Sequence, residues 1–537
     1  MHVLAKFSPK VLRNRLACTL AAASISLGAL AFTPLASAQT VHAVMHSGLR
    51  ILDPILTTAH ITRNHGYMIY DTLLGMDEHF KPQPQMAEWA VTDDGMTYTF
   101  TLRPGLKWHD GTPVTAADCV ASLQRWGKRD SGGQMLMQHV ASLVASDDKT
   151  LVMKLAKPFG YVTDLLAKPS SVPAFMMPKR LADTPPDKPI AEQIGSGPFK
   201  FVAKEFDPGN KVVYEKFTDY VPRSEPASWT AGGKVVKVDR VEWLTMPDSQ
   251  TALNALNSGD LDYMENVPLD LMPLLESNDQ LQTADLNPLG YQTMGQMNFL
   301  YPPFDNVKVR QAAMIAINQK DVLAALSGDP RYYNTCASMY GCKSPLASDA
   351  GAAGHTADGS LEQARALLKE AGYTNTPVVM LQPTDTPSVA PQPVVAAEAL
   401  RKVGFNVQLV PMDWQTLVGR RASQQPPSQG GWNMFFTNWI IPEVWNPIVN
   451  PMLNGHGKEG GFFGWQKDDE LDRLRETFAA AGTDAERKSI AAQVQAHALA
   501  QVSYVPLGEY RTVSGWSKKL HGVLAGPIPV FWNLSKD

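Results

Sequence analysis

Between Val378 and Arg420 short apolar strands alternate with capped helices, and this alternation restricts the fold more than any other stretch. Val378–Leu381 reads as a strand, and a helix from about Pro393 to Val403 stops at Gly404. Phe405, Val407 and Leu409 then alternate with Asn406 and Gln408 as a second strand, before Asp413 caps another helix. Two strands joined through a helix lie parallel, so this half of the chain is predicted to be α/β. Helices flank the unit. One runs from about Val307 to Leu326 behind Asp305 or Asn306, and one follows the Ser360–Gln363 capping box and ends at Gly372. A third runs from the Thr483–Glu486 box to about Gln501, followed by a strand-like ending.

The first half has a different grammar. Thr97–Leu102 alternates, with Tyr98, Phe100 and Leu102 on one face behind the turn Asp93-Asp94-Gly95, which predicts a hairpin over residues 90–110. Thr115-Ala-Ala-Asp118 opens a helix toward Trp126, residues 211–217 and 234–243 alternate as strands, and proline-rich 158–198 reads as loops with short helices. The pattern is α+β with hairpins. With 537 residues, two to four domains are expected.

The amino terminus reads as an export address. Lys6, Lys10, Arg13 and Arg15 precede an apolar run from Leu16 to Phe32, and Ala36-Ser37-Ala38 supplies the small-x-small site, so cleavage is expected after Ala38. A membrane anchor is the competing reading, but 17 residues interrupted by Thr19, Ser24 and Ser26 fall short of the roughly 20 a span needs. The rest of the chain, with 44 basic against 52 acidic residues and no basic tract, argues against a nucleic-acid or anionic-membrane partner. In an oxidising compartment Cys336 and Cys342 are expected to close a short disulfide, leaving Cys119 as a buried, inert thiol.

The residues offer little reactive chemistry. No serine-hydrolase elbow, phosphate loop, zinc-protease helix or paired Cys-x-x-Cys occurs, so no catalytic residue, metal or cofactor is expected. Gly455–Gly460 matches Gly-x-Gly-x-x-Gly without the preceding strand or following helix, and reads as a surface loop. The pairs His42/His46 and His60/His65 are too few for a closed metal site. Asp93-Asp94 sits in a turn, and Asp468-Asp469-Glu470 complements a helix dipole. Trp432, Trp439, Trp445 and Trp465, interleaved with Asn433, Asn438, Asn446 and Asn450, fit either a ligand-sandwiching cleft or an aromatic core, and both readings stand.

The block Tyr70–Arg125 adds a resemblance. Its Tyr-Asp-Thr-Leu-Leu-Gly, Met86-Ala-Glu-Trp89, the Tyr98-x-Phe-x-Leu-Arg strand, Trp108-His-Asp-Gly-Thr-Pro113 and the Ala117-Asp118 helix resemble the extracellular solute-binding proteins of family 5. These are the peptide- and nickel-type binding components of ABC importers. Leu52-Asp53-Pro54, Gly195–Phe199, Gln296–Phe299, Pro303–Asp305, Val309–Ala312 and Gly431–Trp439 follow in the family's order.

The resemblance implies a two-lobe clamshell, mixed α+β and α/β, with an inserted subdomain in the first lobe. Its boundaries would be a signal peptide over 1–38; a first lobe from 39–80, 195–288 and 508–537; an insert over 81–194; and a second lobe over 289–507. A peptide or similar polar organic solute would sit between the lobes of a periplasmic monomer and pass to permease subunits in the inner membrane. No enzymatic activity and no nucleic-acid partner are expected. The expected ligand contacts are Thr58, Ala59 and His60 from the first lobe, and Asn438, Trp439, Glu443 and Trp445 from the second. Peptide-binding members carry an acid for the peptide's amine near the position of Pro442, and Glu443 is the nearest substitute. A metal-chelate or haem binder, if His60 or His456 lines the cleft, and an exported hydrolase are the alternatives.

Overall fold

In the computed structural model, which describes residues 39–353 and 360–537, three sheets organise the chain. The export address lies outside the described residues. Thr40–Val44 is the axis of the first sheet, running parallel to Arg240–Leu244 on one side and Tyr263–Val267 on the other. Antiparallel strands extend it: Lys211–Lys216 and Phe199–Phe201 at one edge, Val513–Ser517 and Leu281–Ala284 at the other. Helix Ser249–Ser258 crosses its face. Asp248 accepts from the N–H of Thr251 at its start, and Gly259 ends it at a φ of 82°.

The second sheet has the order Tyr333–Asn334, Val505–Tyr510, Tyr291–Met297, Met434–Ile440, Pro377–Pro383, Asn406–Met412. Its last two strands are parallel, with Pro377 opposite Asn406, joined through helix Pro391–Val403 as the alternation predicted. That helix stops at Gly404, whose φ of 110° suits a residue without Cβ. The third sheet is antiparallel, ordered Ala87–Val91, Thr97–Leu102, Thr150–Leu155, Val140–Ala145. The capping box of Thr115 and Asp118 starts the helix Ala116–Trp126 that covers it. Together the sheets form the two-lobe architecture with a third, inserted body.

The chain passes between the large sheets twice, after Ala284 and after Tyr510. Arg511 Nη1 meets Asp285 Oδ2 at 3.1 Å, tying the two crossings to each other. The strand-like ending is thus divided: Val505–Tyr510 belongs to the second sheet and Val513–Ser517 to the first.

Two local expectations change. The helix expected from Val307 to Leu326 is two, Val307–Ala316 and Gln319–Ser327. Ile317 is extended, and the Asn318 side chain accepts from the N–H of Lys320 at 2.8 Å and of Asp321 at 3.4 Å, starting a new helix. The strand expected from residue 234 begins at Arg240. Lys234 is fully buried instead, its ammonium 2.7 Å from Asp71 and 4.9 Å above the Trp532 ring, which holds the chain off the sheet.

Candidate functional site

A cleft of about 1000 Å³ opens between the two large sheets. Met45–Gly48, Met264 and Asn266–Leu271 line it from the seven-stranded side, and Asp385–Ser388, Gln415 and Tyr510 from the six-stranded side. A smaller recess of about 50 Å³ shares His46, Asn266, Thr386, Ser388 and Tyr510 with it.

The recess is built from both lobes. Thr58, Ala59 and His60 reach it from the loop that enters helix His60–Ile69. Thr57 Oγ1 accepts from the N–H of Ala59 at 3.1 Å and fixes that loop. Ala59 stands at the cap position without a side-chain oxygen, so no side chain caps this helix. Asn438 and Trp439 come from strand Met434–Ile440, and Tyr291 and Tyr510 stack on neighbouring strands with ring centroids 5.2 Å apart. Asn438 is held by Gln392 at 2.8 Å and by the Ser388 carbonyl at 2.8 Å.

Arg421 also lines the recess, and it was not among the expected contacts. Trp414, Leu417, Val418 and Arg421 are all buried, at helical spacing on one stripe. A guanidinium at the fourth place of an apolar stripe was the sequence signal for it. Its Nη2 donates to Thr58 Oγ1 at 3.0 Å, its carbonyl accepts from Trp432 Nε1 at 3.1 Å, and it lies 4.8 Å from the centre of the Phe463 ring. Burial pulls it down to about 10. Its Nε and the Nε1 of Trp439 are buried donors without partners.

Two expected contacts fall elsewhere. Glu443 is not on the recess wall. It is fully buried and accepts from the Ile440 N–H at 2.8 Å, from His60 Nε2 at 3.0 Å and from the Ser170 hydroxyl. Burial pushes its carboxyl up, but His60, Arg63 and Ser170 outweigh that and hold it below the usual carboxylate range. Trp445 packs edge-on against Phe80, ring centroids 5.0 Å apart. The tryptophan cluster therefore divides: Trp432 and Trp465 pack together in the core, with centroids at 5.7 Å, while Trp439 lines the recess. Of the two histidines favouring a metal chelate, His60 lines the recess but is engaged with Glu443, and His456 pairs with Asp472 at 2.9 Å away from it. Cys336 and Cys342 are joined by a disulfide beside Glu509, and Cys119 is buried with its thiol pushed up by that burial.

The helices Ser131–His139 and Asp469–Ala480 also meet. His139 Nε2 lies 3.1 Å from Glu476 Oε2, and the hydrogen bond to Glu476 raises the imidazole above its ordinary value. A raised value means the contact is complete below the ordinary histidine range and is lost as pH rises through the raised one. The pair is expected to part when the lobes open. Ligand affinity is therefore expected to fall as pH rises through that window, and His139→Gln to flatten the profile. Parallel wild-type and variant titrations would refute this by showing the same slope.

The described residues contain no helix long and apolar enough to cross a membrane. Residues 81–462 match the profile described as "Bacterial extracellular solute-binding proteins, family 5 Middle". A probable peptide ABC transporter periplasmic-binding protein, y4tO, of Sinorhizobium fredii is 40% identical over 96% of this chain and 97% of its own. The glutathione-binding protein GsiB of Pectobacterium atrosepticum is 29% identical over 94% and 95%. Among solved structures, AppA of Bacillus subtilis in complex with a nonapeptide superposes with a TM-score of 0.76 at 19% identity, covering 93% of this chain and all of that one.

Proposed function

Because the chain belongs to the bacterial extracellular solute-binding proteins of family 5, we propose that it captures a peptide or similarly polar organic solute between its lobes and delivers it to the permease of an ABC importer. The observation that carries this is the recess: Thr58 to His60 from one lobe and Asn438 with Trp439 from the other close around one small volume. A site completed by both lobes binds ligand best when closed, so ligand drives closure by its preference for that state. The peptide named for the Sinorhizobium relative and the glutathione named for the Pectobacterium one support a small peptide or peptide-like solute.

The setting follows from the same reading. Residues 1–38 act as the cleaved export signal, the mature protein works as a monomer in the periplasm, and the inner-membrane permease is its partner. Residues 39–80, 195–288 and 508–537 make the first lobe, 81–194 the insert and 289–507 the second lobe, the hinge being the crossings tied by Arg511 and Asp285.

Protein purified without refolding is expected to carry a bound organic solute in native mass spectrometry. Removing it should expand the particle in small-angle scattering and change tryptophan emission, since Trp439 lines the site. A scattering profile indifferent to the solute, or its chemical conversion by the protein, would refute the reading.

A further inference from the structure

We infer that the Cys336–Cys342 bridge is a thiol-exchange site coupled to the crossings between the large sheets: a dithiol reduces it in the folded protein, and the opened loop lets go of both crossings. Its effect on lobe motion rests on the binding-protein reading above, whereas the exchange itself does not.

The bridge joins residues six positions apart, and its two halves are held differently. The inner half is pinned to the body of the six-stranded lobe. Gln319 accepts from the Cys336 N–H and donates to the Cys336 carbonyl, both at 2.9 Å, and Gln292 donates to the Ser338 carbonyl at 2.7 Å. Gln495 accepts from the Met339 N–H at 3.1 Å, and the Tyr340 hydroxyl donates to the Ala491 carbonyl at 2.8 Å. The outer half reaches for the crossings instead. The Cys342 N–H donates to Glu509 Oε1 at 2.6 Å, and Lys343 Nζ donates to the Pro288 carbonyl at 3.1 Å. Glu509 stands two residues before Arg511, and Pro288 lies between strands Leu281–Ala284 and Tyr291–Met297, so each crossing receives one contact. Attachment to the body resumes at Ser344, which donates to the Trp445 carbonyl at 3.1 Å. Between Tyr340 and Ser344 the bridge is the cross-link that ties the outer half to the pinned one. A ring this short removes little chain entropy, so the bridge acts locally rather than as a staple of the whole fold.

The same geometry sets the chemistry. Cys336 is 2% exposed and Cys342 is the exposed partner, so an incoming thiolate attacks Cys342. A mixed disulfide forms there, the Cys336–Cys342 S–S bond breaks, and its electron pair leaves on Cys336, which takes a proton from water. The second thiol of the dithiol then displaces Cys342. The dithiol ends as a disulfide, and two electrons and two protons have passed to Cys336 and Cys342. Both sulfurs and a Glu509 carboxylate oxygen lie within 4.8 Å of one another, and a carboxylate this close disfavours the departing thiolate. Attack by a monothiol is therefore readily reversed, whereas a dithiol closes its own ring and completes the reaction. Once the bridge is open, the Cys342 N–H is no longer held against Glu509, a carboxylate buried beside the second crossing.

The test needs no ligand. Folded protein stripped of solute is treated with dithiothreitol, and thiol labelling and amide exchange are followed by mass spectrometry. Label is expected on Cys336 and Cys342 but not on buried Cys119. Amides of residues 285–290 and 509–513 should exchange about tenfold faster after reduction, while helix Ala116–Trp126 is unchanged. Glutathione at the same thiol concentration should leave the bridge closed, and Cys342→Ser should show the fast exchange without any reductant. A bridge that resists dithiothreitol until the protein unfolds overturns the proposal. So does faster exchange confined to residues 335–344, or spread over the whole chain, which would make the bridge a staple of the fold. None of these outcomes turns on the solute, whose absence from native mass spectra would remove the binding reading alone.

Discussion

Arg125→Met is expected to cost about 3–5 kcal/mol of unfolding free energy, the range for removing one partner of a buried ion pair. Arg125 lies on the helix of the insert and Asp53 on the first turns of the seven-stranded lobe, and their side chains are 2% and 1% exposed. The pair is bidentate, with Nη1 to Oδ1 at 3.2 Å and Nη2 to Oδ2 at 2.8 Å. Asp53 also accepts from the N–H groups of Ile55 and Ile190, and Arg125 donates to the carbonyls of Thr184 and Lys188. One ion pair thus fastens the opening turn, the helix of the insert and its returning loop. Methionine keeps much of the volume but leaves the Asp53 carboxylate buried with half its partners. The double variant Asp53→Leu/Arg125→Met should recover part of the loss, since an apolar pair needs no compensation. Urea unfolding of wild type, Arg125→Met, Asp53→Leu and the double variant measures this, and a loss near that of an exposed pair, below about 1 kcal/mol, would show that water reaches the site.

This pair also shows what the sequence could and could not disclose. Asp53 and Arg125 were legible as members of two separate motifs, but nothing in either motif says that they touch across 72 positions. Local signals fared better. Thr115 with Asp118, Asp413, Ser360 and Thr483 all cap helices where their side chains allowed, because capping is settled within one turn. The parallel pair Pro377–Pro383 and Asn406–Met412 followed from strand–helix–strand spacing. Alternation in Lys234-Val-Val-Lys-Val makes a strand only when tertiary contacts leave it free. A buried partner, Asp71, took that lysine. The site behaved likewise. The loop Thr58–His60 and the tryptophan strand reach one recess, whereas Glu443 and Trp445, only four and six positions past Trp439, turn away from it. The strand ends at Ile440 and a 3₁₀ turn follows, so period-two reasoning stops applying one residue after Trp439.

Glu443→Gln is expected to weaken ligand binding about 100-fold, close to 2.7 kcal/mol, and to do so whether or not the ligand has a free amine. Glu443 follows the strand Met434–Ile440 of the six-stranded sheet, while His60 and Ser170 come from distant parts of the chain, so its hydrogen bonds are expected to hold as a set only when the lobes are together. Arg63, buried behind Ser170, is pulled down by that burial and supported by the Glu443 charge. An amide keeps the shape and the Ile440 contact but removes the charge that answers Arg63 and accepts from His60, an imidazole that burial holds below its ordinary value. Truncating one member of a buried, hydrogen-bonded charge pair costs about 2–5 kcal/mol, and here the cost falls on the closed state alone. The wild-type carboxyl is held below the usual range, so this contribution is present at neutral pH and is lost on acidification through the lowered value. An amine anchor would behave differently, because the loss would vanish for an N-acetylated ligand. Titrating wild type and Glu443→Gln with tri-alanine and N-acetyl-tri-alanine separates the two roles. Equal loss for both ligands makes Glu443 a latch between lobes. Loss confined to the free amine would return it to the ligand. His60→Gln in the Glu443→Gln background should add little, since residues acting through one contact are not additive.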